Sequence, residues 1–173
     1  MPGLSLLERR EIEAKVVGPL VRAFSAEFGE ARTLEIVGKV ITELARASGA
    51  ELSTAQRDNG LESFAATLDR WKEGGALELE ILEQSSDRLS FNVTRCRYAE
   101  LYNALGLGDL GASLSCRRDF ALAEGFNPSI QLERTQTIMQ GAPFCDFRFR
   151  MTSLDDTLRE GPAASSEKPP EER

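Results

Sequence analysis

Apolar residues return every fourth position along the first seventy residues. Ile12, Val16, Leu20, Phe24 and Phe28 form one such row, widened by Val17 and Val21. Leu34, Val37, Ile41 and Leu44 form a second, ended by Gly49. Leu61, Phe64, Ala65, Leu68 and Trp71 form a third, stopped by Gly74-Gly75. This period predicts three amphipathic helices whose apolar rows pack into a core. Gly18-Pro19 falls inside the first and predicts a kink or a split, because proline lacks the helical N–H donor.

After the double glycine the period drops to two. Leu77, Leu79 and Ile81 alternate with Glu78 and Glu80, until Leu82 breaks the pattern. Leu89, Phe91 and Val93 alternate with Ser90, Asn92 and Thr94. With SSDR as the turn between them, the two runs read as a β-hairpin. Helical spacing returns over 97–105 and 110–124. Ile130 to Met139 reads as a strand, GAPF as a turn, and Cys145, Phe147, Phe149 and Met151 as the inward positions of a last strand. The expected fold is α+β: an antiparallel sheet of about four strands from two hairpins, helices on one face, and an N-terminal helical segment. Residues 1–152 are expected to form a single domain, with a helical part at 1–75 and an α+β part at 76–152. The polar, proline-containing stretch 153–173 is expected to be a disordered tail.

Charge narrows the partners. Residues 1–93 carry 16 acids against 11 bases, and residues 94–152 carry 6 against 7. No basic stripe suited to nucleic acid is present. The near-neutral second block, with seven arginines, suits a small anion. No run approaches the ~18 apolar residues of a membrane span, and no apolar leader follows the N-terminus, so a cytoplasmic protein is expected. A homo-oligomer is left open.

The chain has no histidine and three cysteines, Cys96, Cys116 and Cys145. Relays and metal sites that need imidazole are thereby excluded. An odd cysteine count without a secretory signal argues for thiols rather than disulfides. Zinc is the weaker alternative, because the spacing C-x19-C-x28-C contains no CxxC pair. No cofactor is expected. Glu100, Asp119 and Asp146 each stand within four residues of a cysteine. Cys116 and Asp119 share a helix face, where a carboxylate could serve as a base or pair with a neighbouring arginine. Arg134, in a predicted strand, either pairs with a carboxylate or awaits an anionic ligand. Thr135 and Thr137 could donate hydroxyls, and Tyr98 and Tyr102 read first as core.

The stretches RCRYAELY, LGxxxLGxxLSCRRDFALAEGFNPSI and LxRTQTIMQGAPFCDFR resemble the L-2-amino-thiazoline-4-carboxylic acid hydrolase family. That family is in turn distantly similar to 4-vinyl reductase-type ligand-binding domains, some of which bind zinc. Here Arg134 and Thr137 stand where such metal ligands would fall. The resemblance implies hydrolysis of a small cyclic substrate to N-carbamoyl-L-cysteine. The residues assigned to it are Cys116 or Cys145 as nucleophile, Asp119 as base and Arg134 as carboxylate anchor. Thr135, Thr137, Tyr98, Glu100, Cys96 and Asp146 complete the expected site. Activated water without a covalent step, and a non-enzymatic ligand-binding or sensor role, remain the alternatives.

Overall fold

The structure, a computed structural model, describes residues 3–152. Three helices open the chain: α1 (Leu6–Phe28), α2 (Glu30–Thr54) and α3 (Leu61–Lys72). Ser5 starts α1 with a capping box, its hydroxyl accepting from the Glu8 N–H while the Glu8 carboxylate accepts from the Ser5 N–H. Two strands follow, β1 (Leu77–Gln84) and β2 (Arg88–Cys96). Next come α4 (Arg97–Ala104), the single turn α5 (Gly108–Gly111), a π-helical turn at Ala112–Cys116 and α6 (Arg118–Phe126). Strand β3 (Ile130–Glu133), a 3₁₀ turn at Ile138–Gln140 and β4 (Cys145–Met151) complete the described chain.

The four strands form one antiparallel sheet in the order β1-β2-β4-β3, as two hairpins predict. Leu82 is the extra residue of a β-bulge, since Ile81 pairs with Phe91 and Glu83 with Ser90; this is the break in the alternation. Leu89, Phe91 and Val93 of β2 and Cys145, Phe147 and Phe149 of β4 are buried on the face that the helices cover. Phe64 of α3 meets Trp71 and Phe126 edge-on, with ring centroids 6.4 and 5.3 Å away. On the opposite face Arg148 donates to the Phe91 and Phe147 carbonyls and to Asn92 Oδ1.

Four expectations are corrected. Helix α1 is not split at Pro19, which lies inside it. A Cβ on its neighbour Gly18 would stand 2.5 Å from Leu107 Cδ1, so that glycine serves a close approach. Gly49 does not end α2. It is buried in mid-helix, where a Cβ would come 2.2 Å from the Leu122 carbonyl oxygen, while a Cβ on Gly125 would come 2.1 Å from that of Arg46. Helices α2 and α6 therefore cross backbone against backbone. The row Ile12, Val16, Leu20, Phe24 and Phe28 is not core: each is about half exposed, and the buried side of α1 is Ala14, Gly18 and Val21. The strand expected over 130–139 ends at Glu133, because the Asp146 carboxylate takes the backbone N–H groups of Thr135 and Gln136 and turns the chain away. The tail expected at 153–173 lies outside the described residues.

Candidate functional site

The π turn is where the site begins. Arg117 N–H bonds the Ala112 carbonyl, five residues back, so the helix is locally one residue wider than an α-helix. That register leaves the Leu114 carbonyl to accept from Arg118 Nε at 3.0 Å and the Cys116 carbonyl to accept from Arg134 at 3.1 Å. Such π insertions recur at functional sites. Ser115 and Cys116 on the turn, and Arg118 and Asp119 just after it, form one wall of a cavity of about 80 Å³. Arg10 from α1, Cys96 from the end of β2 and Tyr98 from α4 form other parts of its wall, over an apolar floor that includes Trp71 and Phe147. That is several times the volume a single water needs, and room for one small ligand. A wider groove adjoins it, sharing Arg10, Trp71 and Arg118 with the cavity wall.

Asp119 is the central group. Its Oδ2 accepts from Arg134, and among the described residues its Oδ1 has no protein donor. The side chain keeps 23% of its surface open, on the cavity it lines. Burial pushes its carboxyl up to about 6, against the pull of Arg134, Arg10 and Arg118. Arg134 itself is 6% exposed and stands behind the cavity wall, its guanidinium 5.0 Å from the ring centres of both Phe120 and Phe147. Of the two roles the sequence left open for Arg134, it takes the first: one terminal nitrogen donates to Asp119 and the other to the Cys116 carbonyl.

The cationic groups on the cavity wall are two arginines that the sequence reading did not select. Glu13 Oε2 accepts from Arg10 at 2.6 Å and from Arg118 at 2.9 Å, so two guanidiniums share one carboxylate oxygen. Their side chains are 16% and 12% exposed. Burial, then the charge of Arg10, pulls Arg118 below the ordinary arginine value. A pair of crowded, half-compensated cations beside a cavity is suited to an anion. The Arg117-Arg118 pair next to the SC motif was the available signal, but nothing in sequence links it to Arg10.

The remaining expected residues divide. Cys96, Cys116 and Tyr98 line the cavity. Burial pushes the Cys96 thiol up to about 11 and raises those of Cys116 and Cys145. The Tyr98 hydroxyl donates to the Trp71 carbonyl at 3.4 Å, and burial raises its pKa. Cys145 is buried off the cavity wall, its sulfur accepting from Ile138 N–H at 3.2 Å. Thr135 and Asp146 satisfy each other, with the Thr135 hydroxyl 2.6 Å from Asp146 Oδ2. Thr137 caps the 3₁₀ turn through Gln140 N–H. Glu100 is exposed and paired with Arg95 at 2.8 Å. These four therefore hold the frame or the surface rather than the cavity. The three cysteines are free thiols, and among the described residues no three Cys, Asp or Glu side chains are grouped to hold a metal ion.

A four-stranded antiparallel sheet with a small cavity under its helical layer defines an α+β domain. Two solved structures share this fold at low identity. A trafficking protein particle complex subunit 3 from Naegleria fowleri, covalently bound to palmitic acid, aligns over 84% of this chain and 96% of its own, with 13% identity and a TM-score of 0.50. The phenol-responsive sensory domain of the transcription activator PoxR, with phenol, aligns over 83% and 77%, with 11% identity and a TM-score of 0.50. No curated protein matches the sequence. Residues 9–149 match the L-2-amino-thiazoline-4-carboxylic acid hydrolase family, and the chain belongs to that family. Among the described residues no helix is long and apolar enough to cross a membrane.

Proposed function

We propose that the protein is a hydrolase opening a small cyclic substrate of the 2-amino-thiazoline-4-carboxylate type to N-carbamoyl-L-cysteine. The observation that carries the reading is Asp119: a carboxyl with a raised pKa, one free oxygen on a small cavity, and two arginines nearby with cationic charge to spare. Arg10 and Arg118 take the substrate carboxylate in place of the expected Arg134. Asp119 takes a proton from a water as its oxygen bonds to the ring carbon between sulfur and nitrogen. The carbon–sulfur bond then breaks, the sulfur takes the proton held by Asp119, and the added hydroxyl passes its proton to the ring nitrogen to leave the urea carbonyl. One water is consumed and no cofactor is needed.

Water is the favoured nucleophile, since a thiol serves as a nucleophile in surroundings that lower its pKa, and here burial raises all three. The second reading, a non-catalytic binding domain, rests on the apolar floor of the cavity and on the ligands named for the two similar folds. Incubating the purified chain with the thiazoline and following the released thiol with a thiol-reactive dye tests the first reading. Calorimetric binding without thiol release would select the second.

A further inference from the structure

The face of the α1–α2 hairpin that points away from the sheet is apolar and uncovered. On α1 the row Ile12, Val16, Leu20, Phe24 and Phe28 is 48 to 66% exposed. On α2, Ile36, Val40 and Leu44 are 48 to 54% exposed, on the side away from buried Gly38, Ile41 and Ala45. Gly29 joins the two helices, and at that end Phe24, Phe28 and Ile36 line one open hollow. Eight large side chains, each about half exposed, leave on the order of 700 Å² of apolar surface. That exceeds the ~300–600 Å² largest patch of a typical monomer and approaches the ~800 Å² a side of a standard stable interface.

We propose that this face is the interface of a homodimer, in which the α1–α2 hairpins of two copies pack across a two-fold axis into a four-helix layer. A two-fold contact needs one patch that complements itself. The charges bordering the rows do not oppose it: Glu11 pairs with Lys15 on α1, and Glu35 with Arg32 and Lys39 on α2, so neither helix presents a field of one sign. A lipid surface is disfavoured by the same border, which lacks the basic excess that anionic headgroups select. The chain's own tail is disfavoured too, since residues 153–173 hold Leu154 and Leu158 as their only large apolar side chains. Helix α1 presents Arg10 and Glu13 near the cavity and Ile12 and Val16 on the outer face, so the contact braces the helix that frames the site.

Sedimentation equilibrium of the full chain at tens of micromolar tests this, beside the double variant Val16→Glu, Leu20→Glu. Both residues are about half exposed, so the variant keeps its fold, checked by an unchanged far-ultraviolet dichroism spectrum. The expected result is a dimer for the parent chain and a dissociation constant raised at least a hundredfold in the variant. A monomeric parent chain overturns the proposal, as does a dimer that the two glutamates leave intact. Co-sedimentation of a monomeric parent with phosphatidylserine-containing vesicles would overturn it in favour of a membrane surface. Should the double variant fail to fold, Phe28→Glu at the hairpin tip gives the same readout.

Discussion

Arg134 donates to the Asp119 carboxylate through one terminal nitrogen and to the Cys116 carbonyl through the other, at 3.1 Å for the second bond. It thus ties Asp119 on α6 to the π turn before it and to the chain just after β3. Breaking such a buried pair leaves a charge without its partner, at a cost of about 3–5 kcal/mol. Arg134→Met should therefore lower the urea midpoint sharply. Arg134→Lys should lower it less, since lysine keeps the charge but not the fork that reaches both acceptors. A midpoint unchanged by Arg134→Met would mean that the pair contributes nothing to stability.

The burial of Asp119, against the pull of Arg134, sets a pH dependence. The folded-state pKa of Asp119, about 6, lies above its ordinary value of 3.8. The folded chain thus binds this proton more tightly than the unfolded chain, so this group's contribution to stability falls as pH rises from about 4 to about 6. Activity runs the other way, because the base must be ionised. We expect kcat/KM to rise through pH 6 and level above it, and Asp119→Asn to lose a hundredfold or more of the rate. A flat profile between pH 5 and 8, measured by thiol release, would remove Asp119 as the base.

Much of the fold was legible because sheet and helix periods differ. The alternation in β2 and β4 named the buried face, and Leu82 marked the bulge. The α1 row was misassigned for a physical reason: periodicity identifies an apolar face but not what covers it. The inner side of α1 is built of Ala14, Gly18 and Val21, and only Val21, at the edge of the expected face, belonged to the apolar pattern. In the site, Asp119 and Cys116 could be placed together by helical spacing. The Arg10–Glu13–Arg118 cluster could not, since it joins positions about a hundred residues apart. The clip from Asp146 to Thr135 was equally hidden, because it is a side-chain bond to a backbone that the apolar pattern read as strand.

Close backbone crossing makes the α2–α6 contact intolerant of added atoms. Gly125→Ala would put a methyl 2.1 Å from the Arg46 carbonyl oxygen, and neither helix can yield without shifting its backbone. The expected loss is about 2–3 kcal/mol or more, read as a lower thermal midpoint. Gly3→Ala, with nothing within 4 Å, is the matched control and should leave the midpoint in place.

The arginine pair should govern substrate affinity. Arg118→Gln retains a donor but removes the charge, leaving Glu13 to Arg10 and the cavity wall without its cationic surplus. We expect KM to rise about tenfold or more with a smaller change in kcat, the pattern of a lost ground-state contact to the carboxylate. The amide or ester of the substrate, which lacks the anion, should be bound equally poorly by parent and variant. If Arg118→Gln weakens the charged and uncharged substrates alike, the residue serves the fold rather than the carboxylate.

The thiols decide between the two nucleophiles. Burial holds Cys96 near 11 and raises Cys116 and Cys145, so almost none of any of them is thiolate at neutral pH. Alkylation of the folded chain by iodoacetamide at pH 7 should be far slower than that of a free cysteine, and should quicken on unfolding in urea. Cys116→Ala removes a cavity-wall sulfur but leaves Asp119 and its water. If water attacks, the variant keeps turnover within a few fold, and mass spectrometry of the parent chain during the reaction shows no adduct. A covalent route predicts the reverse in both measurements: an inactive Cys116→Ala protein, and a parent chain that gains the mass of the substrate while it turns over. The π turn that presents Cys116 also spends its carbonyl on Arg134, so the residue retains a structural role through its backbone whichever side chain it carries. Loss of activity in Cys116→Ala without any fall in thermal midpoint is thus the result that would restore the thiol as nucleophile.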